Sequence, residues 1–334
     1  MSEAWTKGPV LVADVGGTHV RFALADTGAA EPLIAESARR YRAAEFASFG
    51  AAVERYLDDC GCRPSALVIA AAGVRVGDEV RLTNNVPWVI SRTAVEREFG
   101  FGAVALLNDF AAMALSVSLL QPHDLRAVGA PPPVRFDVRR EQTFAILGPG
   151  TGLGVGALVV REGRAHPLET EGGHASFAPD DEDEVEIYRR LAARFGRVSR
   201  ERVLCGSGLV NLYEIVCEID GVAPRFASPE DITAAAGDDP ACRRTIERFC
   251  EQLGAFAGDL ALTFGAWDGV YVTGGLVQPL LPWIERSGFR RRFENKGRLS
   301  SVVARVPASI VLHVDAGLLG AAAHAIIASG RFAR

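Results

Sequence analysis

Residues 144–156, FAILGPGTGLGVG, form a short apolar run that breaks into five glycines at alternate positions. An apolar run of this length before a glycine turn is typical of a buried β-strand. Glycine is needed where the backbone turns sharply or comes close to a ligand. Successive backbone N–H groups in such a turn form a concave anion site, usually for a phosphate. Taken alone, the segment is equally compatible with a tight β-hairpin that binds no ligand.

A second segment with the same arrangement lies near the N-terminus. There the apolar strand Val10–Val15 leads into a glycine turn at 16–18, and a second strand, His19–Ala25, follows. The two segments match when Gly16 is aligned with Gly150. We therefore infer an internal duplication that places two phosphate-contacting glycine loops on opposite sides of a cleft.

The first loop carries an acid that the second loop lacks. Asp14 corresponds to Gly148 in this alignment. A carboxylate beside a phosphate loop repels the ligand unless a cation lies between them, and Mg²⁺ held largely through water suits that position. The alternative is that Asp14 caps its own hairpin. Neither loop contains GxxxxGK or GxGxxG, which disfavours a P-loop enzyme and a Rossmann dehydrogenase.

Asn108 and Asp109 lie where a predicted strand at 104–107 gives way to a predicted helix at 111–120. Strand-to-helix junctions at the carboxyl edge of a sheet are where α/β proteins bind ligands. Asp109 can be the N-cap of the helix. It can equally be a general base that orients an acceptor hydroxyl and takes its proton. The spacing leaves both roles open.

Two other polar segments are candidates for binding the hydroxyl groups of a sugar. Asn84 follows a predicted buried strand at 66–73, where an asparagine is either a turn former or an amide that faces the ligand. Glu171 and His174 belong to the segment ETEGGH at 169–174. A carboxylate and an imidazole together suit hydrogen bonding to vicinal hydroxyl groups.

A third strand–glycine junction lies towards the C-terminus. The apolar strand predicted at 270–273 ends in Gly274 and Gly275 and leads into a helix. The junction carries no acid, which suits an uncharged adenosine that packs on the backbone. A tight strand-to-helix turn without a ligand is the alternative.

Apolar periodicity predicts the main helices. It indicates an amphipathic helix over residues 40–59, a long helix over 241–264 and a last helix over 316–329. Proline and glycine residues suggest a flexible surface segment around 287–300.

Composition and charge limit the class of protein. A chain of 334 residues is longer than one hydrophobic core usually serves, so two domains are expected. The net charge of −5 argues against a nucleic-acid partner. No apolar run approaches about 18 residues, which argues against a membrane span. With no export signal, we expect a cytoplasmic protein whose six cysteines are free thiols.

Lysine is nearly absent, with only Lys7 and Lys296 in the chain. Positive charge at a binding site must therefore come from arginine, backbone dipoles or a metal.

The proline-rich segment 129–140, GAPPPVRFDVRR, is an exposed connection typical of a domain boundary. We predict an α/β protein in which residues 8–125 and 312–334 form a smaller domain and residues 126–311 form a larger one. The active cleft is expected between the two lobes.

Six motifs in this order resemble those of one family: ADVGGTHVRFAL, LLNDFAAMAL, GPGTGLGVG, ETEGGHASFAP, SRERVLCGSGLVNLYE and YVTGGLVQP. They are similar to the bacterial hexokinase-type glucokinases, the ATP:glucose 6-phosphotransferases of the actin-like sugar kinase superfamily. The resemblance covers the chain from about residue 10 to residue 320. It implies a two-domain actin-like (ribonuclease H-like) ATPase fold and a homodimer. It also implies ATP- and Mg²⁺-dependent phosphorylation of the 6-hydroxyl of glucose to glucose 6-phosphate.

The resemblance also implies roles for single residues. The first phosphate loop, with Mg²⁺ near Asp14, would comprise Asp14, Gly16, Gly17 and Thr18. The second phosphate loop and the adenosine contact would comprise Gly150, Thr151, Gly152, Gly274 and Gly275. The glucose contacts would be Asn108, Asp109, Glu171, His174 and Glu201, with Asp109 as the base for the 6-hydroxyl. Glu201 enters through the resemblance alone.

Two features depart from related proteins. His19 follows Thr18 where the family usually has asparagine, and we expect its side chain to point away from the ligand. Related ROK sugar kinases and repressors carry a cysteine-rich zinc motif soon after the equivalent of His174. Residues 175–179 contain no cysteine, so no structural zinc is expected.

Two alternatives to a glucokinase stay open at this point. One is a kinase of another hexose, such as mannose or fructose. The other is a catalytically silent sugar-binding regulatory protein, against which the retained Asp14 and Asp109 argue.

Overall fold

The computed structural model describes residues 3–82 and 86–331. Its strands, in chain order, are β1 (Val10–Val15), β2 (His19–Ala25), β3 (Leu33–Arg42), β4 (Ala66–Ala71), β5 (Gly73–Val76), β6 (Glu79–Leu82), β7 (Val89–Ser91), β8 (Ala103–Asn108), β9 (Leu125–Ala127), β10 (Gln142–Pro149), β11 (Leu153–Arg161), β12 (Arg164–Thr170), β13 (Gly269–Val272) and β14 (Ala308–Val311). Its α-helices are α1 (Phe49–Cys60), α2 (Arg92–Phe99), α3 (Asp109–Ser116), α4 (Glu182–Phe195), α5 (Gly206–Asp220), α6 (Pro229–Ala235), α7 (Pro240–Phe264), α8 (Val277–Ile284), α9 (Phe289–Glu294), α10 (Ser300–Val303) and α11 (Ala316–Ala328).

The two large sheets repeat one topology. The first has the strand order β3-β2-β1-β4-β8, and the second has the order β12-β11-β10-β13-β14 with β9 added at its edge. In the first sheet a glycine hairpin joins β1 to its antiparallel partner β2, and β4 and β8 run parallel to β1. In the second sheet a glycine hairpin joins β10 to its antiparallel partner β11, and β13 and β14 run parallel to β10. The internal duplication inferred from the glycine hairpins is therefore confirmed. Strands β5, β6 and β7 form a separate small sheet.

Both faces of the first sheet are covered by helices. Val10 and Val12 of β1 pack in one core with α3 and α11, whereas Leu11 and Ala13 pack in another core with α1. Successive side chains of a strand point to opposite faces. A strand covered on both faces must be apolar throughout, which is why β1 and β4 read as continuous hydrophobic runs.

Helices α3 and α11 lie between the two sheets. One core joins residues of both helices with Val12 of the first sheet and Phe144 of the second. The helices approach closely because Gly320 of α11 has no side chain; a Cβ there would lie 1.7 Å from the Ala112 carbonyl oxygen of α3. Residues from the two halves of the duplication therefore meet around these two helices.

The prediction of a helix over residues 40–59 is wrong for residues 40–48. Strand β3 continues to Arg42 because it pairs with β2, with Arg40 opposite Arg21. Helix α1 begins at Phe49, and the Ser48 hydroxyl caps it by accepting a hydrogen bond from the Ala51 N–H. Cross-strand pairing with a distant segment overrides the local helical pattern.

The segment around 287–300 is not a flexible surface segment. It contains α9 and α10, and Phe289 and Phe293 of α9 are fully buried. Helix α9 packs on α7 at Gly254, where a Cβ would lie 2.1 Å from the Phe289 carbonyl oxygen. The aromatic residues therefore outweigh the local proline and glycine signal. The long helix α7 itself lies within one residue of the prediction.

The segment 129–140 contains neither helix nor strand. The domain bounds at 125/126 and 311/312 stay a prediction. Within the described ranges, no helix is both long enough and apolar enough to cross a membrane. The six cysteines are free.

Candidate active site

Asn108 and Asp109 have different roles at the β8–α3 junction. The Asn108 Oδ1 accepts hydrogen bonds from the N–H groups of Phe110 at 2.9 Å and Ala111 at 3.2 Å, so Asn108 is the N-cap of α3. Asp109 is the first residue of the helix and accepts one bond from the Phe110 N–H at 2.9 Å. The alternative that Asp109 is the N-cap is therefore wrong.

The Asp109 carboxyl group is unusually basic. Burial, together with the negative charges of Asp14 and Glu171, raises its pKa to about 6 against the opposing effect of the Phe110 N–H. A carboxylate with a pKa near neutrality binds a proton more readily than an exposed one and is still ionised at pH 7. This environment suits a general base.

Asp14 lies at the end of β1 in a cluster of carboxylates. Arg21 Nη1 of β2 donates to its Oδ2 at 3.1 Å. Burial raises the pKa of Asp14 and Asp315 adds to the effect, against the lowering by Arg21. The first turn of α11 reaches this carboxylate because Gly317 has no side chain; a Cβ there would lie 2.8 Å from it.

Asp14 is the candidate contact for a cation. The negative charges of Asp14 and Asp315 act on each other, and that of Asp14 acts on Asp109, whereas Arg21 is the one cation that lowers the pKa of Asp14. No group of three or more His, Cys, Asp or Glu side chains in the described residues could hold a metal ion. Mg²⁺ often binds through one or two carboxylates together with water and substrate phosphates, which is the donor set that Asp14 could join.

The two glycine loops close in different ways. Gly16, Gly17 and Thr18 lie between β1 and β2, where the Gly16 N–H donates to the His19 carbonyl at 2.9 Å. In the second loop the Gly150 N–H donates to the Gly152 carbonyl at 2.8 Å, with Thr151 exposed between them. A Cβ at Gly150 would meet no atom within 4 Å, so that side of the loop is open.

Three of the five alternate glycines serve packing. Gly148 and Gly154 are cross-strand partners in the second hairpin. A Cβ at Gly154 would lie 1.7 Å from the Phe110 ring, and one at Gly148 would lie 2.7 Å from it. A Cβ at Gly156 would lie 2.9 Å from the Phe110 carbonyl oxygen. These three positions, the glycine notch, make room for α3, so only Gly150 and Gly152 belong to the loop itself.

Phe110 is therefore a residue that sequence reasoning missed. It follows Asp109 and inserts its ring into the hairpin of the other half of the molecule. The only signal in the sequence was the spacing of the glycines. It predicts that some group approaches this backbone closely but does not identify that group.

Three of the candidate sugar-binding residues, Glu171, His174 and Glu201, come from two separate segments. His174 lies in a 3₁₀ turn after β12, with its Nε2 3.9 Å from Glu171 Oε2 and its Nδ1 3.9 Å from Glu201 Oε1. These distances are too long for hydrogen bonds. The segments are joined where the Arg200 N–H donates to the Ala175 carbonyl at 2.8 Å. The carboxylates and the imidazole thus line one side of the site with hydrogen-bonding capacity to spare.

Glu201 also holds the second glycine loop. Its Oε2 accepts a hydrogen bond from the Leu153 N–H at 2.9 Å. A Cβ at Gly152 would lie 2.7 Å from the same oxygen. The Gly206 N–H donates to the Gly150 carbonyl at 2.9 Å on the other side of the loop. The second loop and the candidate sugar site are therefore directly connected.

Arg200 anchors the turn that carries Glu201. Its side chain is buried, pairs with Asp259 at 2.8 Å and lies over the rings of Phe177 and Phe256, 5.7 and 5.1 Å from their centroids. Such cation–π contacts are favourable when the cation is desolvated. Nothing in the local sequence identified this residue, because its partners are distant in the chain.

Gly274 and Gly275 follow β13 and lie beside the second loop. Gly274 has a φ of +103°, and a Cβ there would lie 2.4 Å from the Pro149 carbonyl oxygen, so glycine is required by both conformation and space. A Cβ at Gly275 would meet no atom within 4 Å. The remaining candidate, Asn84, lies outside the described residues.

Known proteins match this arrangement over nearly the whole chain. The glucokinase family model matches residues 11–327. The glucokinase of Stenotrophomonas maltophilia (strain K279a) is 53% identical, covering 95% of each chain. The crystal structure of a glucokinase from an Antarctic psychrotroph superimposes with a TM-score of 0.84 at 32% identity, covering 95% of this chain and 98% of the other. The glucokinase of Balamuthia mandrillaris in complex with glucose has the same fold, with a TM-score of 0.79 at 18% identity and coverage of 96% and 93%.

Proposed function

The chain belongs to the glucokinase family, and we infer from this that it phosphorylates glucose with ATP. Its two sheets of repeated topology form the two-domain actin-like fold of sugar kinases. The finer proposal is that the 6-hydroxyl of glucose is the acceptor and that Asp109 is the general base. No observation favours a mannose or fructose kinase or a silent sugar-binding protein.

The observation that carries the proposal is the environment of Asp109. Burial is the first cause of its raised pKa of about 6, and the charges that add to it come from Asp14 on the first-loop side and Glu171 on the sugar side. The carboxylate is therefore close enough to both sets of residues to feel their charge, which supports a role in phosphoryl transfer between them. In the proposed reaction it orients the acceptor hydroxyl and takes its proton as the oxygen attacks the γ-phosphorus of ATP, while the bond from that phosphorus to the bridging oxygen breaks and ADP leaves.

The sugar is proposed to be held by Asn108, Asp109, Glu171, His174 and Glu201. Because Asn108 Oδ1 accepts the capping bonds, its amide nitrogen is the group left to donate to a sugar oxygen. Glu171 and Glu201 accept from hydroxyl groups, and His174 can donate or accept. These contacts orient the acceptor, which supplies a large share of the rate enhancement in phosphoryl transfer.

The phosphates of ATP are proposed to lie against Gly16, Gly17 and Thr18 on one side and Gly150, Thr151 and Gly152 on the other, with adenosine at Gly274 and Gly275. Mg²⁺, when bound near Asp14, supplies positive charge to the phosphates. We also propose a cytoplasmic homodimer without a structural zinc. Light scattering and elemental analysis of the purified protein test the last two points.

Asp109→Asn tests the base assignment. The amide keeps the shape but cannot take a proton, so kcat should fall by about 10²- to 10⁴-fold while glucose still binds, as measured by calorimetry. A kcat within about tenfold of the parent protein, a barrier change of only ~1.4 kcal/mol, contradicts the assignment. Turnover of glucose, mannose and fructose by the unmodified protein, compared in one coupled assay, tests the substrate.

A further inference from the structure

Three arginines and one histidine share one face of the two strands that follow the first glycine loop. Strands β2 and β3 pair with His19 opposite Arg42 and Arg21 opposite Arg40. Cross-strand partners lie on the same side of a sheet, as do residues two apart in a strand. His19, Arg21, Arg40 and Arg42 therefore form one cluster, here called the arginine face.

The arginine face begins at the candidate catalytic site. Asp14 of β1 is the cross-strand partner of Arg21, which is in turn the partner of Arg40. The row Asp14–Arg21–Arg40 thus crosses three strands on one side of the sheet. Asp14 is close enough to Asp109 to raise its pKa. One end of the row, Asp14, is therefore near the proposed base, and the other end, Arg40, lies two strands away on the same side of the sheet.

The positive charge of this face is only partly balanced by protein carboxylates. Arg21 is paired with Asp14 at 3.1 Å. Arg40 and Arg42 are exposed and form no ion pair with a carboxylate of the described residues. Arg40 instead approaches the ring of His19, with Nη2 3.2 Å from Nδ1. Like charges gathered without partners repel one another, a cost that a bound anion would remove.

The three guanidinium groups all lower the pKa of one side chain, that of His19. The pKa of His19 is lowered by burial first and then by Arg40, Arg21 and Arg42. The imidazole is therefore neutral at pH 7 and can accept a hydrogen bond from Arg40 or donate one to an anion. The side chain of His19 lies on the same face as Asp14. That it points away from the ligand stays a prediction.

The arginine face is attached to the loop itself. The Ala43 N–H, directly after Arg42, donates to the Thr18 carbonyl at 3.0 Å. His19 is the next residue after Thr18. This hydrogen bond holds the end of β3 against the first loop, and His19 and Arg42 are each next in sequence to a residue that makes it.

We propose that the arginine face is an anion subsite that binds a phosphate group of the phosphoryl donor, in place of a lysine, which neither glycine loop contains. The inference rests on the proposed function, since it assigns the anion to the donor of that reaction. Guanidinium groups suit this role because they bind phosphate oxygens with paired, charge-assisted hydrogen bonds.

The chain offers a matched control. Arg39 directly precedes Arg40 in β3 but points to the opposite face, where it donates to the carbonyl groups of Glu36 and Ala38. Arg40→Gln, Arg42→Gln and Arg39→Gln remove one charge each from nearby positions of one strand. The three variants thus have the same net charge and a substitution in the same strand. They differ only in the face of the sheet from which the arginine is removed.

Steady-state kinetics with ATP and glucose, and calorimetry with inorganic tripolyphosphate, test the subsite. Arg40→Gln and Arg42→Gln should each raise the KM for ATP about three- to tenfold, leave the KM for glucose unchanged and weaken tripolyphosphate binding. Tripolyphosphate should compete with ATP and not with glucose. Arg39→Gln should behave as the parent protein, and Arg40→Lys should restore part of the affinity because it restores the charge.

Three outcomes overturn the proposal. One is an unchanged KM for ATP in both face variants, and another is an equal rise in Arg39→Gln. The third is tripolyphosphate binding that depends on Arg40 but does not compete with ATP, which would identify a separate site for free phosphates or phosphorylated product. Absence of glucose turnover in the parent protein would refute the proposed function instead, and calorimetry would still report on the subsite.

Discussion

Replacing Gly154 with alanine should damage the enzyme through the position of Asp109 and not through phosphate binding. Gly154 lies in the glycine notch, where the ring of Phe110 occupies the space beside the backbone. Phe110 follows Asp109 at the start of α3. A side chain at Gly154 therefore pushes on the residue next to the proposed base.

The size of the effect follows from the distances. The alanine Cβ would lie 1.7 Å from the Phe110 ring, whereas ordinary contact begins at 3.4 Å, so the ring or the strand must move by about 1.7 Å. Overpacking of this kind costs about 1–3 kcal/mol of stability. If about 1 Å of the movement reaches Asp109, the misplaced base should lower kcat by about 100-fold.

Thermal unfolding and kcat measure the two effects, with Gly150→Ala as the control. A Cβ at Gly150 meets no atom within 4 Å and its φ is not positive, so this variant should keep its stability. It should raise only the KM for ATP, because Gly150 belongs to the loop. Phe110→Ala should relieve the clash, so Gly154→Ala should cost at least about 1 kcal/mol less in that background.

A Gly154→Ala protein with the stability and kcat of the parent would refute this reasoning. So would a double variant in which the two costs simply add, since the ring and the Cβ would then not compete for space. A loss of stability in Gly150→Ala equal to that in Gly154→Ala would show that both positions serve folding.

Three further predictions concern charge. The kcat/KM for glucose should fall as the pH drops through about 6, because only ionised Asp109 accepts a proton. Asp14→Asn should move this fall to lower pH by removing a charge that raises the pKa of Asp109. An unchanged pH profile of kcat/KM in Asp14→Asn contradicts the coupling. Folding favours the protonated form of Asp109, so its contribution is present below pH 3.8 and lost as the pH rises through about 6. Asp109→Asn should therefore increase the free energy of unfolding in urea by on the order of 3 kcal/mol at pH 8 but not at pH 3.5, and equal effects at both pH values would argue against it. Glu201→Gln should raise the KM for ATP as well as that for glucose several-fold, because it replaces a charged acceptor of the Leu153 N–H; a change confined to glucose would show that the loop does not depend on Glu201.

The sequence predicted the repeated hairpins, the internal duplication and the buried strands. These features depend on residues close together in the chain: an apolar run, a glycine turn and a second strand. Asp109 was found for the same reason, because strand-to-helix junctions are visible locally. Whether it capped the helix was not decided until the structure placed the capping bonds on Asn108.

The resemblance added what local pattern could not. Glu201 was selected only because its motif matches the family. No pattern in the sequence indicates that its carboxylate also holds the second loop, where it accepts a hydrogen bond from the Leu153 N–H. Arg200, with partners at Phe177, Phe256 and Asp259, had no local signal at all.

The glycines at 144–156 show most clearly what sequence determines and what tertiary structure determines. The sequence by itself determined that the backbone there must turn and must be closely approached, because only glycine leaves that space. The tertiary structure alone decided that a phenylalanine from the other half fills the notch at Gly148, Gly154 and Gly156, while Gly150 and Gly152 stay in the loop. The same holds for the arginine face, which requires the pairing of two strands. The physical reason is that a missing side chain leaves a space of known size, but the group that occupies it is brought there by chain folding between residues far apart in sequence.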